Sequence, residues 1–212
     1  MNADVRLFGL ARSVYTRVAR LALEEKGVAH ALEEVEVFGP AGVPAEHLAR
    51  HPFGRIPVLR HGDFLLYETA AITRYVDEAF PGPALQPAGA RARARMNQLV
   101  GLLDAYAYRP MVWGVFVERV LEGDAVDEAV VAPALDAARR CLHEIDRLQD
   151  GAAHLAGDAL SLADLHAFPM LHVLALAPEG AALVASRPRL QAWLERMAAR
   201  PSAQRTQVAY AP

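Results

Sequence analysis

Three short clusters in the first third of the sequence hold side chains whose types and spacing could do chemistry. The first is Ser13-Val14-Tyr15-Thr16-Arg17, just ahead of a helical run. Ser13 stands where a helix N-cap is wanted, and most serines so placed only cap. The same hydroxyl, beside the positive end of a helix, is also suited to stabilise a thiolate, the form of a thiol that attacks electrophiles. A free thiol of pKa about 8.5 is only a few per cent ionised at neutral pH. Lowering that value by about two requires about 2.7 kcal/mol of preferential thiolate stabilisation. A charge-assisted hydrogen bond together with a helix terminus is of that size.

The second cluster, Phe53-Gly54-Arg55-Ile56-Pro57-Val58-Leu59, puts a proline directly before an apolar pair that reads as a strand. Proline costs a strand one ladder donor, so either this is an edge strand or the Ile56-Pro57 bond is cis. A cis bond, found in about 5–6% of X-Pro bonds, turns the backbone so that the groups of Ile56 face outward. The third cluster, Glu68-Thr69, favours the cis reading. It opens the next helix, where a hydroxyl and a carboxylate can cap free N–H groups. The same pair fits a zwitterionic amino-acid end group: a ligand carboxylate on the helix N–H groups and the Thr69 hydroxyl, and an ammonium on Glu68.

The elements that must position these clusters form an α/β pattern. Val5–Phe8 reads as a strand ended by Gly9, Val14–Lys26 as a helix stopped by Gly27, and Leu32–Phe38 as a half-buried strand. Ile56–Leu59 and Phe64–Leu66 flank a turn-like Arg60-His61-Gly62-Asp63, and Glu68–Phe80 returns to helical spacing. The order is β-α-β-α-β-β-α, a small mixed sheet with helices. Pro81-Gly82-Pro83 then breaks the pattern. Beyond it we expect only helices: Ala90–Arg119, kinked at Pro110; Asp124–Asp150; Ser161–Ala177; and Pro188–Arg200. The domain reading is residues 1–80, a linker over 81–90, and an all-helical domain over 91–212.

Composition narrows the function classes. The chain has 212 residues, 53% of them hydrophobic and 22% charged, enough for a sizeable core. A net charge of -3 gives no electrostatic reason to expect nucleic-acid binding. Lys26 is the only lysine among 22 cationic side chains. One cysteine, Cys141, excludes an internal disulfide framework and a Cys-x-x-Cys pair, and its helical setting suits a core residue. The N-terminus does not read as a secretory signal, and the longest apolar stretch, Phe168–Pro178, is far short of the ~20 residues that span a bilayer. No membrane association is expected, and the cytoplasm is the expected location. His47 and His51 have the i,i+4 spacing of metal ligands, but no third ligand completes a set, so no metal is expected.

Taken together, these segments resemble the cytosolic glutathione S-transferases of the serine type, closest to the phi class of plants and its bacterial relatives. Ser13-Val14-Tyr15-Thr16 through Gly27 is similar to the family's active-site segment, His51-Pro52-Phe53-Gly54-Arg55-Ile56-Pro57 to its cis-proline segment, and Tyr67–Ile72 to its γ-glutamyl site. Gly157-Asp158 and Ser161–Leu165 match its helix-capping segment in the second domain. The resemblance implies a thioredoxin-like N-terminal α/β domain followed by an all-α C-terminal domain. It implies glutathione as co-substrate, Ser13 as the catalytic hydroxyl, and Ser13, Arg55, Ile56, Pro57, Glu68 and Thr69 as the glutathione-binding set. Hydrophobic electrophiles would be taken by a pocket including Leu10, Tyr108, Val112 and Val115. Helical spacing puts Tyr108, Val112 and Val115 on one stripe, with Tyr106 and Trp113 elsewhere. Detoxification, a glutathione-dependent peroxidase activity and a homodimer follow from the same resemblance. In that dimer Asp77 or Glu78 would meet Arg91, Arg93 and Arg95 across the two-fold axis.

Some positions depart from the family pattern. The loop Phe38–Pro44 has no cation where phi members carry a His-Lys pair for the glycine carboxylate, leaving Arg55, His51 or another group to hold that end. Tyr15 and Thr16 offer hydroxyls besides Ser13. The missing cationic loop keeps open a non-catalytic protein of the same fold, acting as a ligand carrier or interaction module. A thiol reductase is disfavoured, because Ser13 occupies the position where such relatives place cysteine.

Overall fold

The computed structural model describes residues 4–210. Two compact units emerge, one running to Ala84 and taking in Arg205–Val208, the other built on Leu85–Gln204.

The first unit is a four-stranded sheet of order β2-β1-β3-β4, with β1 Val5–Gly9, β2 Ala31–Glu34, β3 Val58–His61 and β4 Phe64–Tyr67. β1 and β2 are parallel, and the other neighbours are antiparallel. Helix α1, Val14–Glu25, links β1 to β2 and packs against α3, Thr69–Ala79, with the short α2, Ala45–Arg50, between β2 and β3. Alternation along the strands sorts the core. Phe8, Val58 and Val35 cluster with Tyr67 on one face, where the Arg50 guanidinium lies 4.2 Å from the Phe8 ring centre. β2 stops short of the expected Phe38 because β1 ends at Gly9 and offers nothing further to pair with. Past that point the exposed Glu36 folds back on its own loop, accepting from the Phe38 N–H at 2.8 Å and pairing with Arg12 at 2.7 Å. β3 begins two residues later than expected, because the Ile56-Pro57 bond is cis and keeps Ile56 out of the ladder.

The one lysine is an internal tie. Lys26 follows α1, and its Nζ lies 3.1 Å from Asp77 of α3 and 3.0 Å from the Pro83 carbonyl, with side chains only 3% and 7% exposed for the lysine and the aspartate. This corrects the expectation that Asp77 could meet arginines of a second chain. Arg93 likewise holds the Pro87 and Ala88 carbonyls, and Arg95 holds the Gln98 side chain.

The second unit is helical. α4, Ala90–Leu102, does not continue as the expected kinked α-helix. It becomes a π-helix over Leu103–Ala107 and again over Arg109–Leu121, with i→i+5 in place of i→i+4 pairing around Pro110. α5, Glu128–Gln149, is capped by Asp127, whose carboxylate accepts from the Ala129 N–H at 2.9 Å. It packs against the second π segment, where a Cβ on Gly114 would overlap that of Ala134. Nearly every residue of α6, Leu162–Leu174, is buried, as suits a helix apolar on all sides. α7 Pro178–Ala185, α8 Pro188–Ala198 and α9 Pro201–Arg205 complete the chain. α7 and α9 are not expected from the sequence. Cys141 is buried in α5, and burial pushes its thiol up, as fits a core residue.

Candidate active site

Sheet register brings the three clusters to one end of the first unit. Phe8 lies opposite Val58, and Val58 opposite Tyr67. The next residues outward on these three strands are therefore Gly9, Pro57 and Glu68. With strands about 4.8 Å apart, the turn into α1, the cis-proline and the start of α3 share one short edge.

Ser13 caps α1 as expected. Its N–H reaches the Leu10 carbonyl at 3.0 Å, and its Oγ accepts from the Thr16 N–H at 3.4 Å. Because that bond uses an oxygen lone pair, the capping serine keeps its own hydrogen to donate. Of the two other hydroxyls, Tyr15 is half-buried, but Thr16 has no exposed surface. It sits under Gly9, where a Cβ would come to 2.5 Å from the Thr16 Oγ1. Thr16 therefore cannot reach a ligand thiol.

The segment leading to the cis-proline is held from α2. His51 accepts from Phe53 N–H at its Nδ1 (3.3 Å) and from Gly54 N–H at its carbonyl (2.9 Å), with Gly54 at φ 62°. His47 Nε2 is 2.8 Å from the Arg55 carbonyl. The two histidines pin a loop, and among the described residues no cluster could hold a metal ion. Burial keeps the His51 imidazole below its ordinary value, against the pull of Glu68. His51 is 2% exposed, whereas the Arg55 side chain is exposed and forms no ion pair with a described residue.

Glu68 is exposed and adopts φ 71°, ψ 113°, a conformation uncommon for a residue with a side chain and one that recurs at functional sites. It stands at the N-cap of α3, yet its side chain makes no capping bond, so the capping role weighed for it is not the one it performs. Thr69, the first residue of α3, is 9% exposed.

Of the residues expected to take the electrophile, Leu10 of the first unit is buried, and in the second unit Val112 and Val115 are buried and Tyr108 is half-buried. Trp113 is not elsewhere, as α-helical spacing predicts. In the π segment residues five apart come together, and the Trp113 Nε1 donates to the Tyr108 hydroxyl at 3.0 Å. Sequence reasoning also missed the loop-pinning work of His47 and His51. Their i,i+4 spacing was visible, but it does not show which backbone groups the two rings meet.

Known proteins resemble the chain along most of its length. The family model described as glutathione S-transferase, N-terminal domain, matches residues 7–84, and the one described as glutathione S-transferase, C-terminal domain, matches residues 105–201. The chain is 36% identical over 202 residues to glutathione S-transferase 4 of Zea mays, covering 94% of this chain and 90% of that protein. It is 31% identical to the probable glutathione S-transferase GSTF1 of Oryza sativa subsp. japonica, covering 98% and 97% of the two chains. Among solved structures it is similar to glutathione transferase F7 from Populus trichocarpa, with TM-score 0.81, 27% identity, and 95% and 97% of the two chains covered. A thioredoxin-like unit ahead of a helical one, matched along nearly its whole length by transferases, marks the chain as an enzyme rather than a non-catalytic carrier: it belongs to the glutathione S-transferase family, on its phi-like side.

Proposed function

We propose that glutathione lies across the end of the sheet where the three clusters meet, and that its sulfur is held as the thiolate by Ser13. The γ-glutamyl group rests on Glu68 and Thr69, the cysteinyl backbone pairs with Ile56 ahead of Pro57, and Arg55 takes the glycine carboxylate. What supports this most is the Phe8–Val58–Tyr67 register, which aligns the outward neighbours of the three strands. Arg55 is favoured over His51 for the carboxylate because it is the exposed one of the two. The Ser13 hydroxyl and the N-terminus of α1 stabilise the thiolate where its charge sits, with no covalent enzyme intermediate.

The thiolate adds to a hydrophobic electrophile held by Leu10, Tyr108, Val112 and Val115, which makes the reaction a detoxification. With an organic hydroperoxide the same thiolate attacks the peroxide oxygen and releases the alcohol. A second glutathione then reduces the sulfenic product to glutathione disulfide and water. Such chemistry needs a reduced glutathione pool, which suits the cytoplasm. We further infer a homodimer, expected to sediment at twice the chain mass.

The test is glutathione binding by calorimetry, with thiolate absorbance followed on the same samples, for wild type and Ser13→Ala. Wild type is expected to bind and show thiolate. Ser13→Ala is expected to lose that signal and about 10²-fold in turnover, the usual cost of removing one donor to a developing or held anion. Retention of the signal would move activation to Tyr15 or the backbone.

A further inference from the structure

The reaction above leaves His47 without a role, although it is a fully enclosed polar residue beside the site. It has no exposed surface. Its Nε2 meets the Arg55 carbonyl at 2.8 Å, while its Nδ1 is buried with no partner among the described residues. A carbonyl oxygen only accepts, so Nε2 carries the proton and donates.

That bond orients a neighbouring group. The Arg55-Ile56 peptide is planar and trans, because the only cis bond among the described residues is the next one, Ile56-Pro57. In a trans peptide the C=O and the following N–H point in opposite directions. Fixing the Arg55 oxygen on His47 therefore aims the Ile56 N–H away from α2. This N–H has no acceptor among the described residues, and Ile56 lies outside β3. An amide of a 9%-exposed residue with no protein partner is a donor prepared for something else. Just past the end of α2, His51 holds the Phe53 and Gly54 N–H groups, so the peptide units leading up to Arg55 are already fixed.

We propose that His47 is a positioning residue that aims the Ile56 N–H at the cysteinyl backbone of bound glutathione. The inference rests on the placement of glutathione given above. It assigns the histidine to recognition of the tripeptide and gives it no part in thiol ionisation or in holding the electrophile.

The experiment compares wild type, His47→Leu, which cannot donate, and His47→Gln, whose amide can. Each is assayed with glutathione varied against saturating 1-chloro-2,4-dinitrobenzene, and with the electrophile varied against saturating glutathione. In His47→Leu the glutathione KM and the calorimetric Kd should rise about tenfold, equivalent to about 1.4 kcal/mol. The turnover number and the electrophile KM should stay within twofold of wild type, and His47→Gln should recover most of the loss. A glutathione KM within twofold of wild type in His47→Leu would overturn the proposal. So would a fall in turnover with the KM unchanged, which a merely loosened fold would give. Absence of glutathione binding by wild type would instead remove the underlying site. Should His47→Leu fail to fold, nitrogen-15 spectra of the wild-type imidazole decide: a proton on Nε2 is expected, and one on Nδ1 alone rules the role out.

Discussion

An imidazole held below its ordinary pKa makes the loop ahead of the cis-proline sensitive to acid. His51 is held below its ordinary pKa by burial; Glu68 opposes this, while His47 and Arg55 reinforce it. Its Nδ1 must remain an acceptor for the Phe53 N–H. In the unfolded chain an imidazole takes up a proton near pH 6.5, and in the folded chain only at lower pH. The stability that His51 contributes is thus complete above about pH 6.5 and is lost as pH falls through the lower folded value. His51→Asn keeps an acceptor oxygen near Phe53 and removes the titration. Its melting temperature should fall less between pH 7 and pH 5 than that of wild type. Equal falls in the two proteins would clear His51 as the source. Which hydroxyl and which histidine do what was only partly legible in the sequence. Ser13, Thr16 and Tyr15 look alike on paper, and burial under Gly9 separates Thr16 from the others. The conformation of Glu68 was not legible at all, since a glutamate gives no sign of positive φ.

The elements of the second unit hang on one carboxylate. Asp164, with no exposed surface, accepts from the Ser161 N–H and Oγ at 2.8 Å each, from the Leu155 N–H at 2.9 Å and from the Trp193 Nε1 at 2.8 Å. It thereby closes the capping box of α6 and ties that helix to α8 and to the loop before it. Burial alone would raise its pKa, but the bonds from His154, Leu155, Ser161 and Trp193 outweigh burial and hold it below the usual carboxylate value. The stability it supplies is therefore present above about pH 4 and is lost as pH falls through its lower folded value. Asp164→Ala leaves several buried donors unmet, each costing about 1–3 kcal/mol. Denaturant melts should show a loss of at least about 3 kcal/mol, with glutathione affinity of the remaining folded protein unchanged. This cap was legible because Ser161 and Asp164 have capping-box spacing. The π segments were not. Apolar residues such as Val112, Val115 and Phe116 satisfy α and π spacing about equally over a short run. Pro110 announces that the α ladder is interrupted but does not say how the chain responds. The strands were legible in place and kind, with boundaries set by what they pair with.

At the scale of the whole molecule, the short segment Arg205–Val208 returns to the first unit. Thr206 meets Arg17 at 3.5 Å, the Arg205 carbonyl accepts from Arg20 at 3.3 Å, and the Arg205 guanidinium pairs with Glu24. Contacts between residues more than 180 positions apart leave no local pattern to read. The Lys26 tie is similar: sequence shows that the lysine is single, and only the fold shows why it is inside. Breaking such a buried pair from one side costs about 3–5 kcal/mol. The enclosure has a further outcome. A protease that cuts after lysine has one target in the entire chain, the Lys26-Gly27 bond, and the side chain it must grip is 3% exposed. Cleavage should be negligible in native buffer and should rise with urea along the same curve as loss of helical circular dichroism, because digestion of a protected bond follows the population of the opened form. Rapid cutting without denaturant would mean that the end of α1 opens by itself. Otherwise this lone lysine makes a single proteolytic nick a built-in gauge of global unfolding.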